Sequence, residues 1–220
     1  AFPIWNFSAR RLFDSVSIYI VPLVNPDGVD LVTGALSATS QSYKQVQKIA
    51  DEYPTISFPD GWKANIRGVD LNLQFPAGWE NAREKNIRKV LRGPAPRDFV
   101  GYGPLAEPEA IAVYNFTLQH NFRLVLAYHT QGEVIYWQFQ NYNPPGAFAI
   151  GTQFANVSGY SLESTPYDSS FAGYKDWFIQ NYNRPGYTIE AGLGVSPLPI
   201  TQFRQIYEDN LGILVLGAIL

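Results

Sequence analysis

Arg123-Leu-Val-Leu-Ala-Tyr-His-Thr-Gln-Gly-Glu-Val-Ile-Tyr-Trp137 is the stretch on which the reading of the chain turns. Leu124 to Tyr128 is a short apolar run, which predicts a strand buried on both faces at the centre of an α/β sheet. His129 closes that strand at its C-terminal end, the edge where ligands and catalytic groups gather in open α/β sheets. A neutral imidazole fixed there suits a zinc ligand or a general base. It equally suits a histidine that only hydrogen-bonds at a strand end. The Gln131-Gly132-Glu133 turn then leads into a second apolar run, Val134 to Phe139.

Outward from this stretch, Ser15 to Val24 is β-branched and aromatic and predicts another strand, ended by an Asn25-Pro26-Asp27-Gly28 turn. Leu36 to Tyr53 has helical potential with Val46, Ile49 and Ala50 inward. Phe75 to Arg97 is long and polar and reads as a functional loop or lid. Glu107-Pro108-Glu109 opens a helix running to about Gln119, because proline suits the first turn and acids suit the positive end of the dipole. Phe148 to Tyr160 is a further helix with Phe154 and Val157 inward; Ser164 to Tyr174 is a loop. Tyr187 to Gly192 is a short strand carrying Glu190 at its end, and Ile200 to Leu216 is an amphipathic closing helix. Alternating strands and helices predict an α/β fold: a mixed, mostly parallel central sheet with helices on both faces and right-handed crossovers.

The chain has 220 residues, 46% of them hydrophobic, which is enough for one domain with a sizeable core. A net charge of -3 without a basic stripe argues against a nucleic-acid partner. The absence of cysteine rules out disulfides and thiolate metal sites. There are two histidines, His120 and His129, so any metal site within the chain is poor in imidazole. The longest apolar run, Leu211 to Leu220, is too short to span a bilayer. The opening Ala-Phe-Pro, without Met, points to a fragment or a processed product.

Three groups at strand ends or in a tight loop can carry chemistry: Arg67-Gly68-Val69-Asp70-Leu71-Asn72, His129 and Glu190. A carboxylate at a buried strand end is a potential general base, and an arginine can stabilise an oxyanion. Each also has a plain alternative. Glu190 could be a satisfied structural acid, Arg67 a surface ion-pair partner and Asn72 a turn residue. Taken in order, Asn25-Pro-Asp-Gly28, Arg67-Gly-Val-Asp-Leu-Asn72, Glu107-Pro-Glu109, His129 and Tyr187-Thr-Ile-Glu-Ala-Gly192 resemble the zinc carboxypeptidase family of the carboxypeptidase A type. The wording Val69-Asp-Leu-Asn-Leu-Gln-Phe-Pro-Ala-Gly-Trp79 is most similar to the bacterial γ-D-glutamyl-diaminopimelate peptidases of the cell wall.

That resemblance implies roles. His129 matches a zinc ligand. Glu190 matches the catalytic glutamate that activates the zinc-bound water and protonates the leaving amine. Arg67 matches the arginine that steadies the scissile carbonyl, with a slightly irregular offset from Trp62. Asn72 matches the asparagine that holds a substrate carboxylate, Tyr167 the mobile tyrosine that closes over the substrate, and Lys175 the floor of the specificity pocket. The implied cofactor is Zn2+. The implied partner is a peptidoglycan-derived peptide containing diaminopimelate, and the implied place is the bacterial cell envelope or the exterior, with the cytoplasm left open. Oligomeric state is not readable from the sequence.

Two departures qualify the match. The family's carboxylate-clamping arginine is replaced by Leu73, which cannot make a bidentate contact. That points away from plain C-terminal trimming and towards an unusual peptide, and Lys175 could pair with the extra carboxylate of diaminopimelate. The family also draws two zinc ligands from a His-x-x-Glu motif upstream of Asn-Pro-Asp-Gly, and the chain contains no His-x-x-Glu. The expectation is therefore a single peptidase catalytic domain over 1–220 that lacks that upstream segment and, by itself, binds zinc weakly or not at all. The competing reading is a metal-free relative that binds wall peptides without cleaving them. A serine hydrolase has no Gly-x-Ser-x-Gly to support it.

Overall fold

The computed structural model describes residues 9–88 and 93–220. The opening residues Ala1 to Pro3, and positions 89–92 of the expected Phe75 to Arg97 loop, lie outside them. Eight α-helices are described: α1 (Ala9–Phe13), α2 (Pro26–Thr33), α3 (Gln41–Asp51), α4 (Trp79–Arg88), α5 (Pro108–Leu118), α6 (Ala147–Ser158), α7 (Tyr174–Tyr182) and α8 (Phe203–Ile219). Four strands accompany them: β1 (Val125–His129), β2 (Val134–Tyr136), β3 (Ser161–Glu163) and β4 (Gly186–Glu190). The chain forms two compact units, Ala1–Pro22 with Leu124–Thr165 and Asn183–Leu220, and Leu23–Arg123 with Pro166–Tyr182.

The first unit holds the sheet, in the order β1-β4-β2-β3. β1 runs parallel to β4 and β2 parallel to β3, while β2 and β4 are antiparallel, so the sheet is mixed with parallel pairs in the majority. Tyr187 and Ile189 of β4 are fully buried and share a core with Ile135 of β2, Phe154 of α6 and Ile213 and Leu216 of α8. Alternation along a strand sends Thr188 and Glu190 to the opposite face. Gly151 lets α6 approach closely: a Cβ there would stand 2.7 Å from Leu162 Cδ1 and 3.2 Å from Tyr187 Cε1.

Three expectations are corrected by these elements. Leu124 to Tyr128 is not buried on both faces: β1 ends the described sheet, Val125 is buried and Tyr128 is 42% exposed. A five-residue apolar run does not distinguish an edge from a centre, and β4 is the strand with the buried core positions. Ser15 to Val24 forms no strand among the described residues, and Ile18, Ile20 and Val21 are exposed. High β-propensity is a fit to a pleated neighbour and does not act without one. Asn25-Pro26-Asp27-Gly28 is the start of α2 and not a free turn. Asn25 Oδ1 accepts from Gly28 N–H at 3.2 Å, and Pro26 takes the first helical position, where no N–H is needed.

The second unit packs α3 through Val46 and Ala50 on Leu31, Trp62 and Ala64. A second cluster joins Trp79, Ala82, Val100, Phe171 and Ala172. Here the expected long loop contains α4, because Trp79-Glu-Asn-Ala-Arg-Glu-Lys-Asn-Ile-Arg88 is dense in good helix formers and Trp79 anchors its first turn in the core. No helix among the described residues is long and apolar enough to cross a membrane.

Candidate active site

His129 and Glu190 are the terminal residues of β1 and β4 and stand opposite each other in register. Directly paired residues point to the same face of a sheet, so both side chains leave the face opposite the Phe154 core. Val134 of β2 flanks Glu190 from the other side. The exit from β4 is tied down by backbone bonds: Ala191 N–H donates to His129 O at 2.8 Å and Gly132 N–H to Gly192 O at 2.8 Å. Gly192 turns at φ +74°, and a Cβ there would meet Leu198 Cδ1 at 2.6 Å and Ile206 Cδ1 at 2.8 Å.

Behind the turn, buried Tyr160 accepts from Asn210 Nδ2 at 3.0 Å and from Gly192 N–H at 3.4 Å. Burial pushes the Tyr160 hydroxyl above the usual tyrosine range, although the Asn210 and Gly192 bonds pull the other way. Tyr136 is also raised, first by burial and then by the Glu163 and Glu190 carboxylates. Glu190 is thus a half-buried carboxylate fixed by a strand, a rigid turn and a histidine neighbour. Such a group can accept and return a proton.

The other expected residues lie in the second unit. Arg67 is 60% exposed at its side chain, and its Nε stands 3.4 Å from Glu107 Oε2. Asn72 is the middle residue of the short helical turn Leu71–Leu73, where its N–H donates to the capping Asp70 Oδ1 at 3.2 Å. Buried Asp70 also pairs with Lys63 Nζ at 2.8 Å. Burial lowers the Lys63 ammonium, but the Asp70 carboxylate more than offsets this and its pKa ends up raised. Tyr167 is 67% exposed and packs edge-on against Phe171, with rings 5.2 Å apart. Lys175 is buried against Asp176, Nζ to Oδ1 at 2.6 Å. Its ammonium therefore already has a carboxylate partner, one that a substrate carboxylate would have to share.

Three residues not singled out from the sequence shape this unit. Fully buried Asn65 accepts from Arg67 N–H at 3.0 Å and Val69 N–H at 3.1 Å. Fully buried Gln74 accepts from Ala106 N–H at 2.8 Å and Glu107 N–H at 3.1 Å. The third is Lys63, which follows Trp62 directly and pairs with Asp70. A lone polar residue between apolar ones carries little signal until its partner, 42 positions away for Asn65 and Glu107, is known.

A zinc site needs three protein donors or more. Among the described residues, no three His, Cys, Asp or Glu side chains come together closely enough to hold a metal. His129 offers one imidazole, and the described residues do not complete the site around it.

Residues 6–212 match the zinc carboxypeptidase family. The chain is 47% identical over 212 residues to gamma-D-glutamyl-L-diamino acid endopeptidase 1 of Lysinibacillus sphaericus, covering 96% of this chain and 51% of that protein. It is 42% identical over 214 residues to the uncharacterized protein YqgT of Bacillus subtilis (strain 168), covering 96% and 54%. The chain thus spans about half the length of these relatives. Among solved structures, carboxypeptidase A of Helicoverpa armigera superposes with a TM-score of 0.56 at 18% identity, covering 91% of this chain and 49% of that one. At that identity the likeness is one of fold.

Proposed function

This chain belongs to the zinc carboxypeptidase family, and we propose that the protein carrying it is a peptidase of bacterial cell-wall peptides that cuts between γ-D-glutamate and diaminopimelate. The observation that carries this reading is the 47% identity, over nearly the whole chain, to a relative named for γ-D-glutamyl-L-diamino acid bonds. The paired strand ends of His129 and Glu190 support it from the chemistry.

In this reading Glu190 takes the proton of the attacking water and passes it to the leaving amine. Arg67 stabilises the negative charge that develops on the carbonyl oxygen. Asn72 holds a substrate carboxylate, Tyr167 covers the bound peptide, and Lys175 selects the second carboxylate of diaminopimelate. His129 would be one ligand of the family's zinc. The peptidase domain as a whole, and its place in the cell envelope or outside the cell, belong to the same proposal.

The test is to incubate the purified protein with an L-alanyl-γ-D-glutamyl-diaminopimelyl peptide and identify the products by mass spectrometry. Release of a diaminopimelate-terminated fragment is expected. Binding of the peptide without any cleavage would favour the metal-free wall-peptide binder instead.

A further inference from the structure

Glu107 stands at the N-terminus of α5 but does not cap it: its side chain makes no capping hydrogen bond. The carboxylate is turned to other partners. It is almost fully buried, at 2% exposure, and its Oε2 accepts from Asn65 Nδ2 at 2.7 Å and lies 3.4 Å from Arg67 Nε. Asn65 is fully buried and holds the backbone N–H groups of Arg67 and Val69 with its Oδ1. Gln74, also fully buried, holds the backbone N–H of Glu107. One connected set of buried polar groups therefore grips Arg67 twice, by its backbone through Asn65 and by its side chain through Glu107.

The contact to Arg67 uses Nε, and the guanidinium side chain is 60% exposed. A buried carboxylate 3.4 Å from Nε draws that end of the planar fork toward Glu107, and the two outer nitrogens carry further donors for a carbonyl oxygen. A buried charge without a partner would be costly, so Glu107 depends on Asn65 and Arg67, while the Asn65 amide also reaches the Glu109 carboxylate at 3.3 and 3.4 Å.

We propose that Glu107 is a positioning residue, which orients the Arg67 guanidinium for the substrate's carbonyl through its ion pair with Nε and their shared tie to Asn65. The inference rests on the role assigned to Arg67 above. Glu107 itself touches no substrate.

The experiment is a double-mutant cycle of Glu107→Gln and Arg67→Lys in the full chain as its gene encodes it, assayed on the same diaminopimelate peptide. Glu107→Gln is expected to lower kcat about ten- to a hundredfold, the scale of a displaced catalytic group, with KM within about twofold. In the Arg67→Lys background the same change is expected to add almost nothing. An equal loss in both backgrounds would overturn the positioning role and leave Arg67 in place. Arg67→Lys with unaltered kcat would overturn both. Should Glu107→Gln fail to fold, the Arg67 Nε–H exchange rate in the unaltered protein decides. Protection well beyond that of exposed arginines is expected, and exchange as fast as theirs would overturn the proposal.

Discussion

His129 and Glu190 end two adjacent parallel strands at the same register position, so one imidazole and one carboxylate share a sheet edge and a sheet face. Backbone bonds on both sides of the pair, Ala191 to His129 and Gly132 to Gly192, hold the edge in shape. Short strands with buried neighbours place side chains more precisely than loops do, which is what proton transfer requires.

The turn after Glu190 should be strained by any side chain, chiefly through its left-handed backbone. Gly192→Ala puts a Cβ into Leu198, Ile206 and Gln202 at a φ of +74°. The left-handed backbone alone costs roughly 1–2 kcal/mol, before any clash. A lowered Tm together with a fall in peptide hydrolysis is expected. A variant as stable and active as the parent would show that the turn does not fix Glu190.

The sheet core should respond to loss of one ring. Phe154 is fully buried and packs edge-on against Tyr187, with centroids 5.0 Å apart. Phe154→Ala is expected to cost about 3–5 kcal/mol, because α6 and α8 cannot close the space fully. Denaturant unfolding measures this, and a loss below about 1 kcal/mol would mean that the α6 interface is looser than described.

Alkali should unfold the chain cooperatively. Burial raises the Tyr160 and Tyr187 hydroxyls above their ordinary value of 10.0. Asp70 raises Lys63 above 10.5 against the opposing effect of burial. All three groups have folded pKa values above their unfolded ones. Their stabilisation is therefore complete below about pH 10 and is lost as pH rises through the folded values. Tyrosinate absorbance should rise together with the loss of far-UV ellipticity. Smooth titration of every tyrosine near pH 10 with ellipticity retained would contradict the burial of these hydroxyls.

Specificity should depend on Lys175 in a way that stability cannot mimic. Lys175→Ala strands buried Asp176, so Lys175→Met/Asp176→Asn is the safer variant. The ratio of KM values for a diaminopimelate peptide and its neutral analogue, measured on one variant, cancels any loss of folded protein. A charge-assisted hydrogen bond of 1.5–3 kcal/mol predicts that this ratio rises by about ten- to a hundredfold. An unchanged ratio would remove Lys175 from substrate recognition.

Much of the fold was legible where local pattern and tertiary role agree. The α3 positions Val46 and Ala50, the α5 start at Pro108, Phe154 within α6 and the strand bearing Glu190 all follow from periodicity and end signals. Reading failed where a partner decides. Ser15 to Val24 has the residues of a strand but no paired strand among the described residues. Trp79 to Arg88 reads as loop by polarity, yet it is helical because one tryptophan anchors a run of helix formers. His129 and Glu190 could be named from their strand ends, whereas their pairing depends on a strand order that no local signal carries. The Asn65–Glu107 link was out of reach for the same reason, since its two ends belong to different sequence motifs.

The most direct test of the central claim is the turnover of the γ-D-glutamyl-diaminopimelate bond by Glu190→Gln, compared with the parent at matched metal content and matched circular dichroism. A fall in kcat of about a thousandfold is expected, within the range for loss of a general acid–base group, while the peptide still binds. A variant that cleaves at the parental rate would contradict the assignment of Glu190 and, with it, the strand-end pair as the seat of the chemistry.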